Sequence, residues 1–389
     1  MWSMRATHHW NPTRSRADNF RFSENNFDLI RLIAAGEVAI RHSFHHISPD
    51  LESGPLLWVL DFIPGVPIFF FLSGYLISRS WERSPSPRDF FHNRALRLFP
   101  ALWLCTTLSV VLLFVCGYLA TVEWSPYKLG TWFICQGSVV QFWNPDFLRG
   151  FGVGVVNGSL WSVSVEIQFY IATAVMYCLL GRLSRARFDI ALVLLVCLFA
   201  LANFWGPELQ VHLDRAFGTR LAGQCFKASF VPWFFMFLLG ALAQRRHEWL
   251  IPRLLDRALV IFVGYFLVVI ADHFWWGSPL GNNLPFYLVP LLGVTVLTIA
   301  YSAPTLSRSV LGSEDWSYGL YIYHMPLVNL ALWLGYEGSV GAVFVVLGAS
   351  ALIAGASWKF VERPMLRRKK STVRGGSSVG APAPIRTAR

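Results

Sequence analysis

The chain has 389 residues, of which 54% are hydrophobic and only 14% charged, and its formal net charge is +11. Ordinary soluble domains carry about 25% charged residues, and apolar runs recur here from end to end, which excludes a soluble fold. These runs lack the two-residue alternation of barrel strands, so we predict an all-α, polytopic protein of the lipid bilayer. Its positive charge fits cytoplasmic loops, and we expect no nucleic-acid partner. The six scattered cysteines suggest no metal site.

The apolar runs predict about ten transmembrane helices, with boundaries set by the length that a bilayer requires. The predicted spans are 27–47, 56–79, 98–120, 159–180, 188–206, 228–244, 258–275, 284–302, 316–334 and 339–361.

Positive charge in the connections predicts the orientation of these spans. With ten spans, the arginine-bearing connections 80–97, 181–187 and 245–257 all lie on the side of the two termini, which the positive-inside rule makes the cytoplasm. The apolar stretch 129–143 is short for a crossing and would break this pattern, so we expect it to dip into the outer face. The basic connection 207–227 departs from the pattern because it lies outside.

The chain divides into three parts by composition. Residues 1–25 are polar and contain no apolar core of a signal peptide, so we expect a cytoplasmic tail. Residues 26–365 form the membrane domain. Residues 366–389 begin with a basic run and continue rich in Gly, Ser, Pro and Ala, which predicts a disordered basic tail.

The first span carries more charge than a lipid-facing helix tolerates. Arg31 and His42 are eleven positions apart, which places them on nearly one helix face, about 16 Å apart along the axis. A fixed cation at one depth and an imidazole at another suit an anionic donor and a proton acceptor. Glu37 and Arg41 stand at i,i+4 spacing and predict a local ion pair.

Five later segments carry further candidates. Gly74 in FFFLSGYLI predicts close helix packing, and Arg94 with Arg97 could hold a phosphate at the mouth of the third span. Glu166 lies at the depth of His42, which suggests one polar chamber in which the carboxylate orients the imidazole. The remaining candidates, which we expect to contact substrate, are Trp161, Ser317, Tyr321 and His324. A closing FVERP segment predicts a structural lock at the end of the tenth span.

Together these segments resemble acyltransferase family 3, a group of bacterial membrane proteins that includes lipopolysaccharide O-acetyltransferases. The resemblance covers roughly residues 27–365 and includes the Arg-x10-His pattern of Arg31 and His42, FFFLSGYLI, LWSVSVEIQFY, SYGLYIYHMPL and FVERP. The family loop often has an RRxxR form, whereas this chain has Asn93 in place of the first arginine.

The resemblance implies a multi-pass protein of the bacterial cytoplasmic membrane that transfers an acyl group, usually acetyl, from cytosolic acyl-CoA to a carbohydrate hydroxyl. His42 and Glu166 would then be catalytic, and Arg31, Arg94 and Arg97 would bind the donor, with no metal. Direct transfer and a transient acyl-enzyme both remain open. The residues alone also permit a secondary transporter with an Arg31, Glu37 and His42 site, or an accessory subunit of a polysaccharide pathway.

Overall fold

A computed structural model describes residues 25–368, except 220 and 313, so the two predicted tails lie almost wholly outside the described residues. Within the described ranges, all regular secondary structure is helical. Each of the ten predicted spans overlaps mainly with one helix, although the ends differ by several residues. We number these helices α1 Phe27–Ile47, α2 Gly65–Arg83, α3 Pro87–Val115, α4 Leu160–Leu180, α5 Arg185–Phe204, α6 Phe234–Arg245, α7 Ala258–Trp276, α8 Val289–Ser302, α9 Ser317–Trp333 and α10 Val340–Ser357.

Within residues 25–368, apart from 220 and 313, six helical segments are long and apolar enough to cross a membrane. They are Pro55–Arg83, Pro87–Val115, Leu160–Leu180, Arg185–Phe204, Ala258–Trp276 and Val340–Leu366. Helix α1 has 21 residues but is not among these six because of its charged side chains. Helices α6 and α8 are not among them because they have only 12 and 14 residues. The protein is therefore a multi-pass membrane protein, while the count of ten spans and the position of both termini stay predictions.

The stretch 129–143 does not form a long helix. Helix Pro126–Gln136 has 11 residues and is followed by turns. The side-chain amide of Gln136 donates to the backbone oxygens of Gln141 at 2.9 Å and Trp143 at 3.1 Å, which folds the following residues back. Eleven helical residues cover about 16 Å, roughly half of a bilayer core, so this helix is too short to cross.

Helix α2 packs against α6 through two glycines. A Cβ on Gly74 would overlap the backbone oxygen of Phe237, and a Cβ on Gly240 would overlap that of Phe71. Small residues allow such backbone contact between membrane helices. The packing role predicted for Gly74 is confirmed, and the α2–α6 pair forms a fixed wall behind the site.

Helix α9 lies against α1 and contains a proline, Pro326, in its middle. Proline has no backbone N–H, so the oxygen of Ile322 loses its helical partner. The side-chain amide of Asn157 donates to that oxygen at 2.8 Å. The helix therefore tolerates Pro326, and its position beside α1 is secured from the loop before α4.

The two ends of the bundle are built differently. At one end, the backbone N–H of Asn26 before α1 donates to Ala300 of α8 at 2.9 Å, and the arginines of α3 lie close to the residues that precede α9. We call this the arginine end. At the opposite end, the backbone N–H of Gly281 donates to Asp61 at 3.0 Å, which joins the α7–α8 loop to the α1–α2 connection.

Candidate active site

Asp315 joins two of the arginines predicted to bind the donor. Its Oδ2 atom lies 3.0 Å from Nη1 of Arg31 and 2.5 Å from Nη2 of Arg97, and Oδ1 accepts from the hydroxyl of Ser317 at 2.6 Å. Burial opposes ionisation of this carboxyl, but the charges of Arg31 and Arg97 outweigh it and hold the pKa of Asp315 well below its usual value. Arg31 and Arg97 therefore already have an anionic partner inside the protein.

A cavity of about 300 Å³ opens beside this network. Its lining includes Arg31, Arg94 and Arg97 as well as the acidic Asp28, Glu166 and Asp315. Arg94 differs from the other two arginines because it has no ion-pair or hydrogen-bond partner within the described part of the chain, and its Nε atom is buried. A buried guanidinium donor without a partner at a cavity wall is the feature expected of an anion site.

Glu166 belongs to this cavity and does not orient His42. Its Oε1 atom accepts from the hydroxyl groups of Ser73 at 3.0 Å and Tyr170 at 2.7 Å. The predicted contact between Glu166 and His42 is therefore wrong, because depth along two helices does not determine the direction in which their side chains point. The carboxylate of Glu166 is instead hydrogen-bonded by Ser73 and lies in the cavity wall that also includes Arg94.

The partner of His42 is His324 of α9. Nδ1 of His42 lies 2.9 Å from Nε2 of His324. Nδ1 of His324 lies 3.3 Å from the backbone oxygen of Leu320, which can only accept, so this nitrogen is the donor. Nε2 of His324 then accepts from Nδ1 of His42. Nε2 of His42 keeps its lone pair, has no hydrogen-bond partner among the described residues, and is available as a base.

Tyr321 connects the cavity to the histidine pair. It lines the cavity, its hydroxyl is 2.6 Å from that of Ser162, and its ring packs edge to face on Phe69 with centroids 5.6 Å apart. His324 lies three residues further along α9, and its ring centroid is 6.1 Å from that of Tyr321. The histidine pair is thus in contact with the tyrosine that forms part of the cavity wall.

The ion pair predicted from the spacing of Glu37 and Arg41 is wrong. The Oε2 atom of Glu37 accepts from the backbone N–H of Gly65 at 3.0 Å, at the start of α2. Arg41 instead binds Asp61 at 3.1 Å and Glu52 at 3.7 Å. Both residues thereby tie α1 to the connection that leads into α2, which supports a structural role.

The remaining predicted residues have separate positions. Ser317 caps the charge network through Asp315, as described above. Trp161 lies outside the cavity and packs against Trp233 and Phe70, with ring centroids 5.1 Å and 6.4 Å apart. At the end of the tenth span, Glu362 approaches Arg97 at 4.0 Å. The structure thus brings Arg31, Arg94, Arg97, Glu166 and Tyr321 together, with His42 and His324 next to them.

Sequence reasoning missed three residues of this site. Asp315 is the charge centre, and its signal was a carboxylate immediately before the SYGLYIYHMPL helix, at a depth that matches Arg31 at the start of α1. Ser73 and Tyr170 hold Glu166. Ser73 lies on α2 and carries no spacing signal, whereas Tyr170 stands at i,i+4 from Glu166 on α4, a spacing from which the contact could have been predicted.

An imidazole with a free ring nitrogen beside a cavity in a membrane protein is typical of one class of protein, the membrane-embedded enzymes. The comparisons with known proteins specify the chemistry. The family model described as an acyltransferase domain matches residues 24–358, so the chain belongs to acyltransferase family 3. The protein is therefore an acyltransferase enzyme. No solved structure matches this chain.

Three relatives illustrate the family. The chain is 30% identical over 372 residues to Nodulation protein 10 of Rhizobium leguminosarum bv. viciae, covering 90% of this chain and 95% of that protein. It is 25% identical over 355 residues to the O-acetyl transferase of Shigella phage Sf6, covering 88% and 96%. It is 23% identical over 359 residues to O-acetyltransferase OatA of Staphylococcus aureus (strain NCTC 8325 / PS 47), covering 84% of this chain and 55% of OatA. Acyl transfer to oxygen is thus the chemistry named for two of these relatives.

Proposed function

We propose that this protein transfers an acyl group, usually acetyl, from acyl-CoA to a hydroxyl of an envelope or secreted carbohydrate. The observation that carries the proposal is the hydrogen bond between His42 and His324, which leaves Nε2 of His42 free as a base next to the cavity wall. The O-acetyltransferase names of two relatives support an oxygen acceptor.

The arginine end receives the donor in this proposal. The unpaired Arg94 takes a phosphate oxygen of the CoA nucleotide at the cavity mouth, and Arg31 and Arg97 add positive charge behind it. A cavity of about 300 Å³ is at the low end of ligand pockets, so it takes the acyl-pantetheine arm and leaves the nucleotide at the surface. The thioester then lies towards Tyr321.

The chemical step needs one base. Nε2 of His42 removes the proton of the acceptor hydroxyl as its oxygen attacks the thioester carbonyl carbon. The carbon–sulfur bond breaks, the acyl ester forms, and the thiolate leaves and takes up a proton. Tyr321 would have to turn away from Ser162 for the thioester to meet the histidine pair. Transfer through a transient acyl-enzyme remains the second route to the same ester.

The proposed location is the bacterial cytoplasmic membrane. Ten spans with both termini in the cytoplasm would put the arginine end on the cytosolic side, where acyl-CoA is made. The opposite end would then face the acceptor. Arg31 and His42 lie on one face of α1. Arg31 contacts Asp315, in the connection before α9, and His42 contacts His324 of α9. In this proposal the acyl group moves along that face from Arg31 towards His42.

A strain that lacks this gene tests the proposal directly. Its envelope and secreted glycans should lose one specific O-acyl group by NMR and mass spectrometry, and the wild-type gene should restore it. Unchanged O-acylation in the deletion strain would refute the carbohydrate acceptor. The transporter hypothesis, which the family does not favour, predicts substrate flux in proteoliposomes without consumption of acyl-CoA.

A further inference from the structure

A second cleft, of about 660 Å³, lies at the opposite end of the bundle. It is enclosed by the short helices Gly206–Phe217 and Leu221–Lys227 on one side and by the α7–α8 loop on the other. These elements share the end of the molecule at which Gly281 binds the α1–α2 connection. The cleft is thus separate from the charged cavity.

The two cavities differ in the ligand chemistry that they offer. Among the residues that the structure describes, six charged side chains line the first cavity, whereas Lys227 is the one charged side chain in the lining of the second. The rings of Trp233, Trp276 and Phe286 supply broad apolar faces instead. A nucleotide phosphate therefore fits the first cavity, and a ligand that is mainly uncharged fits the second.

Neutral amides provide the polar groups of the second cleft. Gln210 and Asn283 have no hydrogen-bond partner for their side-chain amides within the described ranges, although both line the cleft. Asn282 accepts from the backbone N–H of Val66 at 3.2 Å, which orients its amide and leaves the NH₂ group for a ligand. Amide groups can form hydrogen bonds with the hydroxyls of a sugar ring, and the aromatic faces beside them can stack on its C–H faces.

The cleft is physically joined to the helix that carries His42. Gly281, the neighbour of Asn282 in the lining, donates its backbone N–H to the backbone oxygen of Asp61 at 3.0 Å, and the carboxylate of Asp61 binds Arg41, the neighbour of His42, at 3.1 Å. Trp233 packs on Trp161, which extends the aromatic wall towards α4. The cleft is therefore linked to α1 through the α7–α8 loop and Asp61.

We propose that this cleft is the acceptor subsite, which binds an oligosaccharide by aromatic stacking and amide hydrogen bonds while its reacting hydroxyl extends towards His42. The inference rests on the proposed function and deepens it, because it names the surface that selects the acceptor. A neutral or acidic glycan fits the single Lys227 of the lining.

Two adjacent tryptophans give a matched test. Trp275 and Trp276 end α7 with exposures of 76% and 73%, as expected for residues of a membrane interface, but Trp276 lines the cleft and Trp275 does not. The assay uses purified protein, radiolabelled acetyl-CoA and the base-treated, de-O-acylated envelope glycan of the deletion strain. Trp276→Ala should raise the KM for the glycan about tenfold or more, as loss of about 1–2 kcal/mol of aromatic contact implies, and Trp275→Ala should not.

A second variant keeps the test independent of folding. Gln210→Ala removes an amide of the lining and should also raise the glycan KM, with the acetyl-CoA KM unchanged in every variant. Equal glycan KM values for the wild type, Trp276→Ala and Gln210→Ala would overturn the acceptor subsite. Absence of any transfer by the wild-type protein would instead refute the proposed function itself.

Discussion

His42 and His324 lie 282 positions apart in the chain, and their ring nitrogens are 2.9 Å apart in the folded protein. The bond crosses from α1 to α9 and determines which nitrogen of His42 is free. The backbone oxygen of Leu320 fixes the tautomer of His324, because it can only accept a hydrogen bond. The tautomer of His324 in turn determines that Nε2 of His42 is the nitrogen with the free lone pair.

Replacing His42 should abolish most of the activity. His42→Ala removes the proton acceptor and should lower kcat by about 10²- to 10⁴-fold, the usual contribution of a general base. His45→Ala is the control, because His45 lies one turn further along α1 and is exposed. Transfer of radiolabelled acetyl to glycan measures both. A His42→Ala protein that inserts normally and transfers at the wild-type rate would contradict the mechanism.

His324 should act through His42 as a positioning residue. His324→Phe removes the acceptor for Nδ1 of His42 and should lower kcat by up to about tenfold, the worth of one hydrogen bond, without changing the KM for acyl-CoA. His324→Gln offers a side-chain oxygen to the same N–H and should recover part of the loss. Equal defects in the Phe and Gln variants, or a defect confined to KM, would argue for a packing role alone.

Arg94 should set the affinity for the donor nucleotide. Arg94→Ala removes charge-assisted hydrogen bonds of about 1.5–3 kcal/mol, so the KM for acetyl-CoA should rise about 10- to 150-fold. Acetyl-pantetheine lacks the nucleotide phosphates, and its KM should not change. The control is Arg88→Ala, since Arg88 lies on the same helix, is exposed and is absent from the cavity lining. An equal loss with both donors would place Arg94 away from the phosphates.

Asp315 should stabilise the protein in a pH-dependent way. Its pKa is lowered in the folded state, so its contribution is complete above the ordinary Asp pKa of about 4 and is lost as the pH falls below that value. Asp315→Asn leaves the partly buried guanidinium groups of Arg31 and Arg97 without this anion and should cost up to about 3 kcal/mol at neutral pH.

Thermal unfolding in detergent, followed by tryptophan fluorescence from pH 3 to 8, measures this effect. The difference between wild type and Asp315→Asn should stay constant above about pH 5 and narrow below pH 4. Asp50→Asn changes an exposed carboxyl in the short 3₁₀ helix Pro49–Leu51 and should show no such difference. A stability difference between wild type and Asp315→Asn that grew towards acid pH would contradict the prediction, because it has the wrong sign for a carboxyl with a lowered pKa.

The sequence predicted well what depends on a single helix. Apolar run lengths placed the ten longer helices, and the eleven-residue interval put Arg31 and His42 on a shared face that meets α9 and its N-terminal connection. Close packing at Gly74 could be predicted because a residue without a side chain allows close backbone contact on any helix. These inferences need only the helical repeat and the width of a bilayer.

Partners on other helices could not be predicted in this way. The i,i+4 spacing favours an ion pair of Glu37 and Arg41 by only about 0.5 kcal/mol, so the nearby Asp61 wins Arg41 once the chain is folded. Counting residues gave Glu166 and His42 the same depth, but the rotation of α4 turns the carboxylate to Ser73 of α2 instead. Rotation about a helix axis is set by packing that no single segment encodes.

The position of Asp315 between Arg31 and Arg97 has a consequence for selectivity. The site already contains its own anion, so an anion that binds Arg31 or Arg97 must exchange with a carboxylate held beside them. Under the proposed function, a small monovalent anion would gain too little from such an exchange, whereas a donor with several phosphates would also gain contacts with Arg94. Asp315 would then be an internal competitor that favours polyanionic ligands over simple anions.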